Sequence, residues 1–345
     1  MASKDGRATL ATVAASAGVS IATVSKVVNG RTDVGPETRA RIETLLKQHD
    51  YVGRRGDGAA RAIARPSIEL VFEHKLNAYG VEIIQGILET AAEVRASAAI
   101  SLRYHEQRHA GPDRPGAWAG DLVAAGRRAV IAVVNDLTAA DLAALARAQL
   151  PLVVIDPLNT PKADVTSVGS TNFAGGFAAT QHLLSLGHRR IAYIGGPASA
   201  ACNQARMHGY RAAMEAEGAT VPDGYIRFGH FLYHDGLSGG VALLDHPQPP
   251  TAVFAGSDET AAGVMEAARL RGLRIPEDLS VVGFDDTQIA RFASPPLTTV
   301  RQPLREMGAV ALRTALRLSA GEKLDSHHVE LATELIVRSS TAAPS

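Results

Sequence analysis

The chain has 345 residues, 46% of them hydrophobic and 20% charged, with a formal net charge of zero. That length exceeds one ordinary core and that balance excludes an unfolded chain, so two or more compact units are expected. One cysteine, Cys202, excludes an internal disulfide and reads as a small packing residue, no apolar run is long enough to span a bilayer, and the opening "MASKDGRATL" carries no secretory pattern, which together point to the cytoplasm.

The zero net charge conceals an asymmetry, because residues 1–65 hold eleven Lys/Arg against six Asp/Glu. A basic front on an acidic remainder suggests a polyanion partner for the front alone. Within "TLATVAASA", Leu10, Val13, Ala14 and Ala17 recur at i, i+3, i+4 and i+7, one face of a helix. Gly18 permits a sharp turn, Val19 can plug the core beneath it, and Ser20 stands where an N-cap is wanted, able to accept from the Thr23 amide. Val24, Val27 and Val28 then form a second apolar stripe, which leaves Ile21, Ala22, Thr23, Ser25, Lys26 and Asn29 facing outward. Two short helices around a glycine turn are the helix-turn-helix pattern, whose second helix enters the DNA major groove. Lys26 can reach guanine O6/N7, Ile21 and Ala22 can touch thymine methyls, and hydroxyls can hold phosphates. A plain helical hairpin is the competing reading of this pattern alone. Gly35, Pro36 and Glu37 open a third helix as N-cap, N1 proline and first-turn acid, with Ile42, Leu45 and Leu46 on its buried face and Tyr51 closing the unit.

The next stretch, "YVGRRGDGAARAIARP", contains Gly53, Gly56 and Gly58, each disfavouring helix by about 1 kcal/mol relative to alanine. From Ile68 apolar runs alternate with amphipathic segments in two series, the first from "IELVF" to "PLVVID" and the second from "VTSVG" to "LSVVGFDD". Strand and helix in succession imply parallel sheets with right-handed crossovers, and two series imply two lobes.

Ligands of such sheets bind beyond the carboxyl ends of the strands. The residues just past those ends are Glu73, His74, Asn77 and Tyr79; Asn135; Asp156; Ser170, Asn172 and Phe173; Arg206; Ser257 and Asp258; and Asp285 and Asp286. Carboxylates, amides, an arginine and aromatics suit a neutral polyol. Ser257 and Asp258 also fit as helix caps, and for Asp286 the cap is the favoured reading. Either Phe231 or Tyr233 can supply a stacking ring. The "GG" pairs at 175–176, 195–196 and 239–240 lack a P-loop Gly-Lys-Ser/Thr, and neither G-x-S-x-G nor metal-ligand spacing occurs. No cofactor, metal or catalytic residue is therefore expected, and the chain is not read as an enzyme.

The stretches "TLATVAASAGVSIATVSKVVNG", "VGPETRARIETLLKQHDY", "LGHRRIAYIGGP", "SDETAAGVMEA", "LSVVGFDD" and "SPPLTTVRQP" resemble, in order, the LacI/GalR family of bacterial transcription repressors. The resemblance implies an all-α helix-turn-helix DNA-binding domain over 1–53, a hinge or linker over 54–66, and a periplasmic-binding-protein-like effector and dimerisation domain over 67–345. That α/β body has two doubly wound parallel-sheet lobes, about 67–166 with 295–322 and about 167–294 with 323–345. It further implies a homodimer on double-stranded operator DNA, controlled by a small sugar-like effector between the lobes. The DNA-binding candidates are Thr9, Leu10, Ser20, Ile21, Ala22, Thr23, Ser25, Lys26, Asn29, Thr38, Tyr51, Arg54 and Arg55. The effector-binding candidates are Tyr79, Asp156, Ser170, Phe173, Arg206, Ser257, Asp258 and Asp285; Arg206 matches the family's ligand-binding arginine and Asp285 its hydroxyl-binding aspartate. At the hinge the sequence departs from the family, with Gly53 and Arg54 in place of Pro-Asn and either Ala60 or Ile63 at the place of the minor-groove leucine. Arg54, Arg55 and Arg61 then favour phosphates or a narrow minor groove, and a flexible basic linker is the alternative. A sugar-binding protein without a gene-regulatory role is the competing function, disfavoured by the head.

Overall fold

The computed structural model describes residues 9–28, 31, 34–49, 65–73, 76–103, 117–134, 137–158 and 165–345, and the chain divides into two compact units between Arg65 and Pro66. The expected positions Asn29, Tyr51, Arg54, Arg55, His74 and Asn135, with the hinge candidates Ala60, Arg61 and Ile63, lie outside the described residues.

The first unit holds three helices, α1 (Leu10–Ala17), α2 (Ile21–Val28) and α3 (Pro36–Gln48). A reciprocal pair of Thr9 and Thr12 caps the start of α1, and Gly18 ends it at φ 63°, a conformation cheap only for glycine. The axis then turns by 109° into α2. Val13, Ala14 and Ala17 of α1, Val24 and Val27 of α2 and Ile42 of α3 share one core, flanked by Val19, Leu45 and Leu46, as their periodicity predicts. Leu10 packs half-buried against this core, because it is the first member of the α1 apolar stripe.

The second unit contains two six-stranded sheets. The first comprises β1 (Ser67–Glu73), β2 (Ser97–Arg103), β3 (Arg127–Val133), β4 (Leu152–Ile155), β5 (Thr166–Ser170) and β11 (His328–Leu331), all parallel in the order β11-β5-β4-β3-β1-β2. Helices α4 (Ala78–Glu93), α5 (Ala117–Ala124) and α6 (Ala139–Arg147) connect its strands, and α12 (Leu304–Ser319) packs on α4 through Ile83, Ile87, Met307 and Ala311. The second sheet comprises β6 (Ile191–Gly195), β7 (Ile226–Phe228), β8 (Ala252–Ala255), β9 (Ser280–Asp285), β10 (Thr298–Arg301) and β12 (Glu334–Ile336), in the order β12-β10-β9-β8-β6-β7. Only its edge strand β12 runs antiparallel. Around it lie α7 (Asn172–Ser185), α8 (Ala201–Ala216), α9 (Tyr233–Leu244), α10 (Asp258–Leu270) and α11 (Gln288–Phe292).

The chain passes between the lobes three times, at Thr171, at Gln302–Pro303 and at residues 332–333. These passages correct the expected lobe boundaries. Thr166–Ser170 pairs with β4 in the first sheet, Thr298–Arg301 pairs with β9 in the second, and His328–Leu331 returns to the first. The stretch "HVELATELI" thus supplies an edge to each sheet before the chain finishes in the second lobe.

The glycine pair 175–176 answers to packing. A Cβ on Gly176 would stand 2.3 Å from the Arg206 carbonyl oxygen, so α7 and α8 touch backbone to backbone there. Gly86 does the same between α4 and α12, where a Cβ would fall 2.0 Å from the Arg305 carbonyl oxygen.

Candidate functional site

In the head, Ser20 caps α2 as its sequence position requires, its hydroxyl accepting from the Thr23 amide at 3.1 Å. Val24 and Val27 turn inward, and this fixes the opposite face: Ile21 is 53% exposed, Ala22 and Lys26 are exposed, and Thr23 and Ser25 are half-buried. A large aliphatic side chain held in water at the first turn of a short helix is suited to thymine methyls. Thr9 is exposed beside the start of α1, and Thr38 is half-buried in the first turn of α3.

The second candidate site is a polar cluster between the lobes of the body. The backbone at the strand ends adopts left-handed conformations at non-glycine residues: Asp156 after β4 (φ 44°), Phe231 (φ 64°), and Asp285 and Asp286 at the end of β9 (φ 117° and 57°). Such conformations cost free energy and persist where surrounding contacts enforce them. At Asp156, Phe231 and Asp285 they aim side chains at one place. The Tyr79 hydroxyl donates to Asp156 Oδ2 at 2.6 Å, and the side chain of Asn172, the first residue of α7, lies close enough to Asp156 to favour its carboxylate form. Arg206 Nε donates to Asn172 Oδ1 at 2.7 Å and its Nη1 to the Gly256 carbonyl at 2.6 Å. Its guanidinium lies 3.9 Å from the ring centre of Phe284 and 5.3 Å from that of Phe231. Alongside, the Ser170 hydroxyl donates to Gln302 Oε1 at 2.6 Å, and Gln302 Nε2 donates to Asp285 Oδ1 at 2.7 Å.

Arg206 is 3% exposed, and Asp156, Ser170 and Asp285 are similarly buried. Burial raises the pKa of Asp156 and lifts that of Asp285 well above the carboxylate range, while the Arg206 charge opposes both shifts. Burial likewise holds the Tyr79 hydroxyl in its protonated form, reinforced by Asp156. Burial works against the Arg206 charge, and the nearby Asp285 and Asp156 side chains support it. Cys202 lies buried beside the cluster, and burial pushes its thiol up to about 11, which keeps it neutral, in keeping with a packing residue.

The structure thus brings together Tyr79, Asp156, Ser170, Arg206 and Asp285, with Asn172 between them. It separates others. Asp258, expected at the effector, is fully buried within the second lobe, where Oδ1 accepts from the Thr299 hydroxyl at 2.5 Å and Oδ2 from the Thr287 amide and hydroxyl at 2.7 and 3.0 Å. Burial pushes its pKa up to about 7, against the pull of those donors. Ser257 is the N-cap of α10, accepting from the Thr260 amide at 3.0 Å and donating to the Phe231 carbonyl at 2.9 Å. Phe173 is 50% exposed on the first turn of α7. Asp286, read as a cap, is instead the buried centre of an ion-pair group with Arg291, Arg301 and Arg338. Of the two candidate rings Phe231 is the one at the cluster, lying against Gly196, Gly256 and the Arg206 guanidinium, while Tyr233 is exposed. Gln302 and Phe284 were missed. Among the described residues no group of three or more His, Cys, Asp or Glu is arranged to hold a metal ion, and no single helix is long and apolar enough to cross a membrane.

A trihelical unit with an outward-facing second helix, followed by a two-lobed α/β body with a polar cluster at its strand ends, defines the class of DNA-binding transcriptional regulators with a ligand-sensing body. The chain belongs to the lacI family of bacterial regulatory proteins: residues 9–53 match that family's model and residues 180–341 match the periplasmic binding protein-like domain. The HTH-type transcriptional regulator DegA of Bacillus subtilis (strain 168) is 34% identical over 340 residues, covering 97% of this chain and 98% of that protein. Among solved structures, the complex of the transcriptional regulator CelR with cellobiose is 32% identical with a TM-score of 0.72, covering 97% of this chain and 100% of that one. The lac repressor dimer bound to operator and the anti-inducer ONPF is 26% identical with a TM-score of 0.76, covering 98% and 100%.

Proposed function

We propose that this regulator is a cytoplasmic, non-enzymatic homodimeric repressor, that α2 reads each half of a near-palindromic operator, and that a small sugar-like effector bound at the Tyr79–Asp156–Asn172–Arg206 cluster governs the grip. The observation that carries the second half is the run of polar contacts from Tyr79 and Asp156 in the first lobe to Asn172 and Arg206 in the second. A ligand inserted there exchanges bonds with both lobes at once, so it binds one arrangement of the lobes better than another, as a control ligand must. Carboxylates that accept from adjacent hydroxyls, a forked arginine and the Phe231 ring are a set suited to an uncharged polyol. The cellobiose held by CelR and the operator held by the lac repressor support the same assignment by kinship.

On the DNA side, Ile21 and Ala22 contact thymine methyls, Lys26 a guanine, and Thr9, Ser20, Thr23, Ser25 and Thr38 the phosphates. A gel shift of the full chain on DNA from immediately upstream of its own gene, with and without a panel of mono- and disaccharides, tests the whole reading. Sequence-specific retention that one sugar changes is the expected result. Sugar binding without DNA affinity would favour a binding protein outside gene regulation, and indifference to every sequence would sink the repressor.

A further inference from the structure

Each polar tie between the lobes can be placed relative to the three passages of the chain. The Asp156–Asn172 contact lies one residue from the passage at Thr171, and the Ser170–Gln302–Asp285 chain contains a passage residue. Both therefore sit at the hinge, where lobe rotation displaces atoms least. One further bond is different in kind. The backbone amide of Ala201, at the start of α8 in the second lobe, donates to the carbonyl of Leu158, just after β4 of the first, at 2.9 Å. Neither residue is near a passage in the chain. Among the described residues this is the hydrogen bond that joins the lobes away from the hinge.

We propose that the Ala201–Leu158 bond is a latch that holds the two lobes closed over the polar cluster, and that a ligand enters or leaves only when it opens. Ala201 is the first residue of α8, five residues before Arg206 on the same helix. The first amides of a helix have no partner inside it, so a helix start without a side-chain cap leaves them to seek an acceptor elsewhere. The residue before α8 is Ala200, which supplies no side-chain cap. Leu158 answers for the Ala201 amide from across the cleft, two residues beyond Asp156. The latch thus connects the helix that bears Arg206 to the loop that begins at Asp156. Breaking it frees the mouth of the site without disturbing the bonds at the cluster.

The geometry permits a substitution that removes the latch and little else. Proline is favoured at the first position of a helix, where its missing N–H costs no internal bond. The preceding Ala200 already has φ −67° and ψ 124°, the extended conformation that a following proline requires. Ala201→Pro therefore leaves α8 intact, removes the donor and sets a ring carbon against the Leu158 oxygen. Cys202, the single cysteine, is the next residue, and its buried thiol reports the opening. Reaction with a maleimide tracks the fraction of time the cleft is open, because the thiol must reach solvent before it ionises and reacts.

In the full chain without added ligand, Ala201→Pro should raise the Cys202 modification rate several-fold to about tenfold, as expected for one lost hydrogen bond, with a melting temperature lowered by no more than a few degrees, while Ala201→Gly, which keeps the N–H, should stay within about twofold of the parent. Equal rates for parent and proline variant, or an equal rise in the glycine variant, overturn the latch. Should the proline variant melt early, amide exchange in the parent decides: a protected Ala201 amide supports the latch, and exchange at the rate of an unstructured amide overturns it. None of these readings depends on which ligand the cleft binds, so they can fail while the effector assignment stands.

Discussion

The two candidate recognition surfaces are built in opposite ways. The face of α2 is local: eight consecutive residues, one serine cap and a valine stripe expose Ile21, Ala22 and Lys26 to water, where the ligand's own charge and grooves supply the order. The cluster in the body is assembled from a helix start, strand ends and a lobe passage far apart in sequence, and its polar groups are buried and bonded to one another. A surface that meets a large, stiff polyanion can remain solvated until contact. One that must discriminate a small neutral molecule has to exclude water and satisfy each polar group beforehand.

That contrast can be broken experimentally, most severely at Arg206. Arg206→Ala removes the cation between buried Asp156 and Asp285, so a loss of about 3–5 kcal/mol is expected, read as a lower denaturation midpoint together with loss of the effector response. Specific operator binding should survive at temperatures where the variant is folded. If the response persists, the cluster is not the effector site. The pH dependence of stability gives the next test. Asp258 has its pKa raised from 3.8 to about 7, so the native chain binds protons that the unfolded chain releases, and stability falls as pH rises from about 4 to about 7. Its contribution is bounded by about 1.4 kcal/mol per pH unit. Melting curves of Asp258→Asn across that range should be flatter than the parent's, and parallel curves would refute the assignment.

On the head, smaller and more local effects are expected. Lys26→Ala should weaken specific binding by about 1–3 kcal/mol and relax base choice at one position, measured by competition among operator variants. A uniform loss on all sequences would make Lys26 a phosphate contact instead. Ser20→Ala should cost about 1 kcal/mol of head stability, followed by circular dichroism, and a silent substitution would show that the cap at the start of α2 contributes nothing.

Much of this molecule is legible in its sequence, for reasons that differ by region. The three head helices follow directly from Leu10, Val13, Ala14 and Ala17, from Gly18 and Ser20, and from the Gly35-Pro36-Glu37 start, because every signal there is local. Five of the expected effector residues do meet, since strand ends in parallel sheets converge whatever their sequence. The assignment of strands to sheets was not legible: "TSVGS" and "LTTV" are short and their pairing partners lie elsewhere in the chain. That error also hid Gln302, which follows a strand whose end was not recognised as facing the cluster. Asp258 misled because an acid at a helix start looks the same whether it points outward or, as here, is enclosed by Thr287 and Thr299.

The edge strands His328–Leu331 and Glu334–Ile336 have a consequence for biosynthesis. Each completes a different sheet, at the sides of β5 and β10, and both follow their partner strands in the chain. Until the ribosome has released this stretch, neither lobe can finish, and the nascent body displays two unpaired β margins open to association with other chains. A premature stop upstream of His328 should accordingly yield insoluble material rather than a half-working sensor.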